Sequence, residues 1–234
     1  PWLSYRYRHR LNRGNDGSAM IDNMPTSIDY AGIGIRLSDR FSLFAGKQCA
    51  AYGGIEFDLN PIEIYEYSDM IEYMSNFMTG LNIAFQADPN HQIQLQILNS
   101  LNGSPESMYG DITSAGIEHA RMQLVYTLNW NGNMFNNVLQ TRWSASVMNE
   151  AKDKQMYYFA LGNQITPAGI FNMFFDAMYS IEDLDRKGLV SNMLGGWSAL
   201  NGHAALDAEY LSFVTKLNFR VAPKWNLFLE GMYE

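Results

Sequence analysis

Between residues 77 and 87 apolar and polar positions alternate. Phe77, Thr79, Leu81, Ile83, Phe85 and Ala87 share one parity, and Met78, Gly80, Asn82, Ala84 and Gln86 share the other. The chain breaks at Asp88-Pro89-Asn90 and returns with Ile93, Leu95 and Ile97 against Gln92, Gln94 and Gln96. Side chains alternate faces along a strand, so this segment predicts a hairpin with one apolar and one polar face. Each arm is about 10 residues long, the length a tilted strand needs to cross a bilayer.

The same alternation recurs along the chain. It predicts strands over residues 2–13, 28–37, 41–51, 120–130, 134–148, 154–165, 170–181 and 210–221, with a last one after 224. With the hairpin that makes about 11 strands in a meander. In the third strand, strict alternation sends Lys47 to the apolar side, so either Gly46 marks a bulge or Lys47 lies beyond the hydrocarbon. Short turns are expected at Ser38-Asp39-Arg40, Asp88-Pro89-Asn90, Asn131-Gly132-Asn133, Thr166-Pro167-Ala168-Gly169 and Ala222-Pro223-Lys224. Long connections are expected over 14–27, 53–76, 102–119 and 182–209, and the short turn at Lys152 is the exception on their side. Short turns at one end and long loops at the other are the pattern of outer-membrane barrels, and a Greek-key sandwich does not sort its connections this way. The expected fold is all-β, an antiparallel up-and-down transmembrane β-barrel forming one domain over 1–234. The chain opens at Pro1 and closes at Glu234 inside an apparent strand, so it reads as a fragment truncated at both ends, and the lack of a signal peptide then says nothing of destination.

The connection over 53–76 is expected to fold into the pore. It carries Glu56, Asp58, Glu63, Glu66, Asp69 and Glu72 and no Lys or Arg. Asn60-Pro61-Ile62-Glu63 offers an N-cap, a proline at the first helical position and a glutamate at the third, which predicts one short helix there. Glu56, Asp58, Glu63, Glu66 and Asp69 are the constriction candidates.

Composition agrees with a barrel without proving one. Charged residues are 17% of the chain, aromatics 14%, and mean hydropathy is -0.21. No run of 18 apolar residues occurs, which argues against a helical membrane protein. Outward Phe41, Trp130, Phe135, Phe171 and Phe219 fall near the short turns, and Phe77, Trp143, Tyr157, Tyr179 and Phe213 near the other rim, as two interfacial girdles would. The net charge of -8 argues against a nucleic-acid binder. Yet the inward parity collects Arg6, Arg8, Arg10, Arg36, Arg121, Arg142, Lys216 and Arg220, opposed by Asp176, Glu230 and Glu234. A basic lumen in an acidic chain favours anions, and arginine forks onto phosphate and carboxylate oxygens. The competing expectation is that the acidic loop neutralises the arginines and leaves a plugged or weakly selective pore.

Enzyme chemistry finds little support. His9, His91, His119 and His203 are scattered without metal-ligand spacing, so neither metal nor cofactor is expected. Asp111, Ser114 and His119 lie close in sequence, but a loop brings such residues together by chance. Gly32-Ile33-Gly34 lies within a strand, with no helix following, so it is no nucleotide fingerprint. Cys49 is the single cysteine, which excludes an intrachain disulfide.

The segment 44–57, FAGKQCAAYGGIEF, resembles the phosphate-selective porin O and P family, especially its Bacteroidetes branch. Residues 58–68, the opening Tyr7-Arg-His-Arg-Leu-Asn-Arg13, and Ala160-Leu-Gly-Asn163 are similar to it as well. Gly46 and Lys47 match its Gly-Lys element. The Pro-Phe-Gly that many members carry next is replaced by Tyr52-Gly53-Gly54. The resemblance implies a porin of about 16 strands in a Gram-negative outer membrane, in contact with its lipid, usually a homotrimer, passing small anionic solutes such as phosphate. A structural or loop-closed barrel and a soluble β-sandwich binding module stand as alternatives.

Overall fold

The computed structural model describes residues 2–11, 26–100, 103–167 and 171–234. Eleven strands form one antiparallel sheet in sequence order. They are β1 (Leu3–Leu11), β2 (Thr26–Arg36), β3 (Phe41–Cys49), β4 (Phe77–Asp88), β5 (His91–Asn99), β6 (Leu124–Met134), β7 (Leu139–Ala151), β8 (Lys154–Ile165), β9 (Phe171–Leu184), β10 (Leu206–Ala222) and β11 (Trp225–Tyr233). The five helices among the described residues, α1 (Ile55–Asp58), α2 (Asp69–Glu72), α3 (Pro105–Tyr109), α4 (Leu189–Met193) and α5 (Gly196–Ala199), all lie in connections. The loop expected over 14–27 and the last two residues of the 166–169 turn fall largely or wholly outside the described residues.

Register decides which side chains share a face. Leu81 pairs with Ile97, Ile83 with Leu95 and Phe85 with Ile93, so the apolar parities of β4 and β5 lie together. Asn82 pairs with Gln96 and Ala84 with Gln94 on the other face. The apolar face carries Leu81, Ile83, Leu95, Leu128, Phe159, Leu161, Leu211 and Leu229, all exposed. A continuous exposed apolar face across a whole sheet is stable against hydrocarbon rather than water.

Several elements differ from the sequence expectation. The predicted helix at Asn60-Pro61 is a single 3-10 turn over Pro61–Glu63, flanked by α1 and α2. Register runs unbroken through Gly46 on both sides of β3, so no bulge lies there. Strand β6 runs straight through Asn131-Gly132-Asn133, with Asn133 opposite Gln140. A Cβ on Gly132 would sit 2.6 Å from Thr141 Oγ1 and 3.0 Å from the Trp130 ring, so those side chains occupy the space a side chain would need. The turn comes four residues later, where Phe135, Asn136 and Asn137 take φ of 54, 57 and 65°. Asparagine tolerates that left-handed region. The shift corrects the girdles. Trp143 pairs with Trp130 on the neighbouring strand, their rings 5.1 Å apart, so both sit toward the same end. Phe135 is a turn residue, 75% exposed.

The long connections are packed together. Residues 50–76 lie on the non-lipid face, where Tyr52, Ile55, Met70, Ile71 and Met74 form one core with Met78, Leu98, Val125, Met148, Met156, Tyr158, Phe174, Met178 and Val214. A second core, Tyr109, Ile112, Ile117, Ala151, Leu184 and Ala204, joins the connections after β5 and β9 to the ends of β7 and β9. Its charges are buried as hydrogen-bonded pairs: Arg186 donates to Glu150 at 2.6 Å, Lys187 pairs with Glu182, and Tyr109 donates to Glu150.

Candidate functional site

The inward face is used in two ways. Over β7–β9 it is covered by residues 50–76. Asp176 of β9 accepts from Ile55 N at 2.9 Å and Glu56 N at 2.7 Å, so one carboxylate takes the free N–H groups at the start of α1. Gly54 N donates to Arg142 O at 3.0 Å, and Ser144 Oγ donates to Tyr52 O. A Cβ on Gly162 would lie 2.7 Å from Gly54 Cα and 2.8 Å from Ile55 N, so only glycine lets the loop reach the sheet. The Glu56 carboxylate accepts from Ser68 N and Ser68 Oγ, both at 2.7 Å, and closes the loop on itself. Burial pushes the Glu56 carboxyl up to about 7, against the lowering effect of Ser68 and with the help of Asp176 and Glu234.

The loop also covers Met78, Leu98 and Val125 at one end of β4–β6, and toward β1 the same face stays open. Here lies a cavity of about 670 Å³, bounded by Arg6, Arg8 and Arg10 of β1, Arg142 of β7, Phe57 and Asp58 of the loop, and amides of β3–β6. That β1 and β7 border one cavity means the sheet curves strongly. The arginines of β1 lie over aromatic rings: the Arg6 guanidinium is 3.8 Å from the Tyr30 ring centre, Arg8 is 5.1 Å and Arg10 5.7 Å from that of Phe77. Phe77 therefore faces the arginines rather than lipid, and does not join the outer girdle. Such stacking holds guanidiniums in place without neutralising them.

The counter-ion of this row is Asp29. Arg8 Nε donates to its Oδ2 at 3.0 Å and Arg10 to its Oδ1 at 3.2 Å, while its own side chain is 2% exposed. Strict alternation sends Asp29 to the lipid face. The pairing of Arg8 with Tyr30 and His9 with Ile28 leaves Asp29 as the extra residue of a bulge, which turns it inward. A charge on the lipid face is costly, so an acid at that parity is itself a sign that the alternation breaks. Among the described residues no carboxylate pairs with Arg6.

The other basic candidates disperse. Arg142 donates to Asp58 at 2.7 Å. Arg36 pairs with Asp39 at 2.9 Å at the short-turn end and borders a separate cavity with Ser4 and Gln86. Lys216 is 5% exposed, bonds Glu230 at 3.0 Å and donates to the Glu63 carbonyl. Arg220 is exposed opposite Asn226, beside the last turn. Arg121 precedes β6, exposed and outside any strand, so the strand parity does not apply to it. Of the five acids offered for a constriction, only Asp58 meets an inward arginine. Glu56 is buried, Glu63 contributes its carbonyl, Glu66 is exposed, and Asp69 is held through its N–H by Glu234 at 2.6 Å. Asp111 and Ser114 bond each other, but His119 binds Glu106 at 2.7 Å, so no nucleophilic triad forms from them.

Comparison with known proteins agrees with this architecture. Over 97% of its length the chain superposes on 60% of the outer membrane channel DcaP of Acinetobacter baumannii, with a TM-score of 0.59 and 10% identity. OccAB1 of the same organism is aligned over 95% of this chain and 49% of its own, with a TM-score of 0.47 and 11% identity. The chain thus spans about 60% of the length of DcaP. No protein of curated function matches it. The profile of "Phosphate-selective porin O and P" matches residues 2–234. A sheet built to meet lipid on one face, with that family match, places the chain in the outer membrane. The chain belongs to the phosphate-selective porin O and P family.

Proposed function

We propose that the protein is a diffusion porin for small anionic solutes, with the loop over 53–76 folded into the lumen as its constriction. The observation that carries this is the β1 row of three inward guanidiniums, in which Arg8 and Arg10 share the one carboxylate of Asp29 and Arg6 pairs with none among the described residues. A low-dielectric passage focuses such an excess, and it raises the local concentration of anions. The loop fills the lumen over β7–β9 and leaves the passage between itself and the arginines. Transport is passive, with no chemistry on the solute, and phosphate is one candidate among small anions. The resemblance supports assembly as a homotrimer within outer-membrane lipid. The packing of the loop supports a second reading, a barrel closed by its own loops. Reversal potentials of the full-length protein in planar bilayers under a KCl gradient test both. Anion preference is expected. Cation preference overturns the anion reading, and absence of conductance favours the closed barrel.

A further inference from the structure

The cavity beside β1 has two chemically unlike walls. One is the guanidinium row. The other is a sheet of amides on β4–β6. Its side chains donate in series: Asn82 Nδ2 to Gln94 Oε1 at 2.8 Å, Gln94 Nε2 to Gln92 Oε1 at 3.0 Å, and Gln92 Nε2 to Gln86 Oε1 at 3.1 Å. The series leaves Asn82 Oδ1 without a donor. The Oδ1 atoms of Asn129 and Asn131 are buried and also lack donors, and Asn129 is only 3% exposed. All three residues border the cavity. A buried acceptor without a donor is unfavourable, so three of them on one wall favour whatever brings donors there.

We propose that the cavity selects anions that carry hydroxyl groups, sugar acids or sugar phosphates of about monosaccharide size. The anionic group lies against the β1 arginines and the hydroxyls donate to Asn82, Asn129 and Asn131. This deepens the anion-porin reading and rests on it. A volume of about 670 Å³ suits a small polar solute with its remaining water. Phe57 and Tyr67 of the loop border the same space and offer apolar surface to the C–H groups of a sugar. An ammonium group could also satisfy amide oxygens. However, four guanidiniums, of Arg6, Arg8, Arg10 and Arg142, stand against the three carboxylates of Asp29, Asp58 and Glu72 and favour a net negative solute.

The test is blockade of single-channel current in the full-length protein by gluconate, hexanoate and 6-aminohexanoate, each titrated in KCl. Gluconate and hexanoate carry the same charge and differ in hydroxyls. Gluconate is expected to bind about fivefold tighter than hexanoate, since a site with unpaired acceptors rejects the analogue that lacks donors. Asn131→Leu is expected to lower that advantage at least about threefold. Equal affinities for gluconate and hexanoate in the unmodified protein overturn the inference, even where the reversal potential still shows anion preference. Tighter binding of 6-aminohexanoate than gluconate overturns it in favour of amines. Cation preference in the reversal potential overturns instead the anion reading on which it rests.

Discussion

Strands β1–β2 and strands β7–β9 present the same inward face and use it in opposite ways. On β7–β9 the inward residues include Met148, Met156, Tyr158, Phe174 and Met178, all at most 2% exposed beneath the loop over 50–76, together with Ser144 and Asp176. Asp176 is the one carboxylate among them that holds the loop backbone. On β1 the inward residues are arginines, half-exposed and laid over Tyr30 and Phe77. A loop that buries apolar side chains needs apolar side chains opposite them, with a glycine at the closest approach. A passage for charged solutes needs a wall that keeps its charge in water. The inward face of the sheet thus serves as a protein core over β7–β9 and borders an open cavity at β1, with the loop between the two.

The largest break in that contrast comes from Gly162→Val. Its side chain collides with Gly54 and Ile55 backbone and with Asp176. Overpacking of this kind costs about 1–3 kcal/mol, enough to displace the loop from β8 and β9. Single-channel conductance should rise, and chymotrypsin should cut the aromatic segment Tyr65-Glu66-Tyr67. Unchanged conductance would show that the loop does not limit the passage.

A smaller effect is expected from pH. The buried Glu56 carboxyl holds its proton up to about 7, whereas in an unfolded or undocked loop it loses it near the ordinary glutamate value. The docked loop therefore binds more protons across that window. Its stability is greatest at the acid end and falls as pH rises toward 7. Cleavage of the loop should be slower at pH 5 than at pH 8, and Glu56→Gln should flatten the difference. A rate that rises toward acid would contradict this assignment.

The smallest change should follow Asp29→Asn, which sharpens the other side of the comparison. It leaves Arg8 and Arg10 without their shared carboxylate. The anion-to-cation permeability ratio should increase about twofold at low salt and less in 1 M KCl, because salt screens the added charge. A ratio that moves toward cations would remove Asp29 from the role of counter-ion.

Much of the fold was legible in the residues themselves. The hairpin of β4 and β5 stands where alternation put it, and β8 begins and ends at its predicted residues. The misplaced turn at Asn131-Gly132-Asn133 shows the limit of dipeptide signals. Gly132 sits instead within the β6–β7 pairing, where the side chains of Trp130 and Thr141 leave no room for a Cβ. The candidate site was legible in part. The β1 arginines and Arg142 do border one cavity, but Arg121 lies off the strands and Lys216 is held by Glu230 and the loop. The acids of 53–76 looked like charges aimed at the pore. Most of them cap, pair or face away instead, because the loop docks through backbone N–H groups and apolar side chains.

Period-two alternation, turn spacing and the sorting of arginines to one parity are local properties, and they alone determined that this chain forms a meander with an apolar face and a polar face. Only the tertiary structure decided that Asp29 turns inward through a bulge and that Asp176 reaches the loop 120 residues away in sequence. It also decided that Arg186 is buried against Glu150. The physical reason is that a side chain's face follows from its immediate neighbours, whereas its partner follows from sheet curvature and loop packing, which no short stretch of residues specifies.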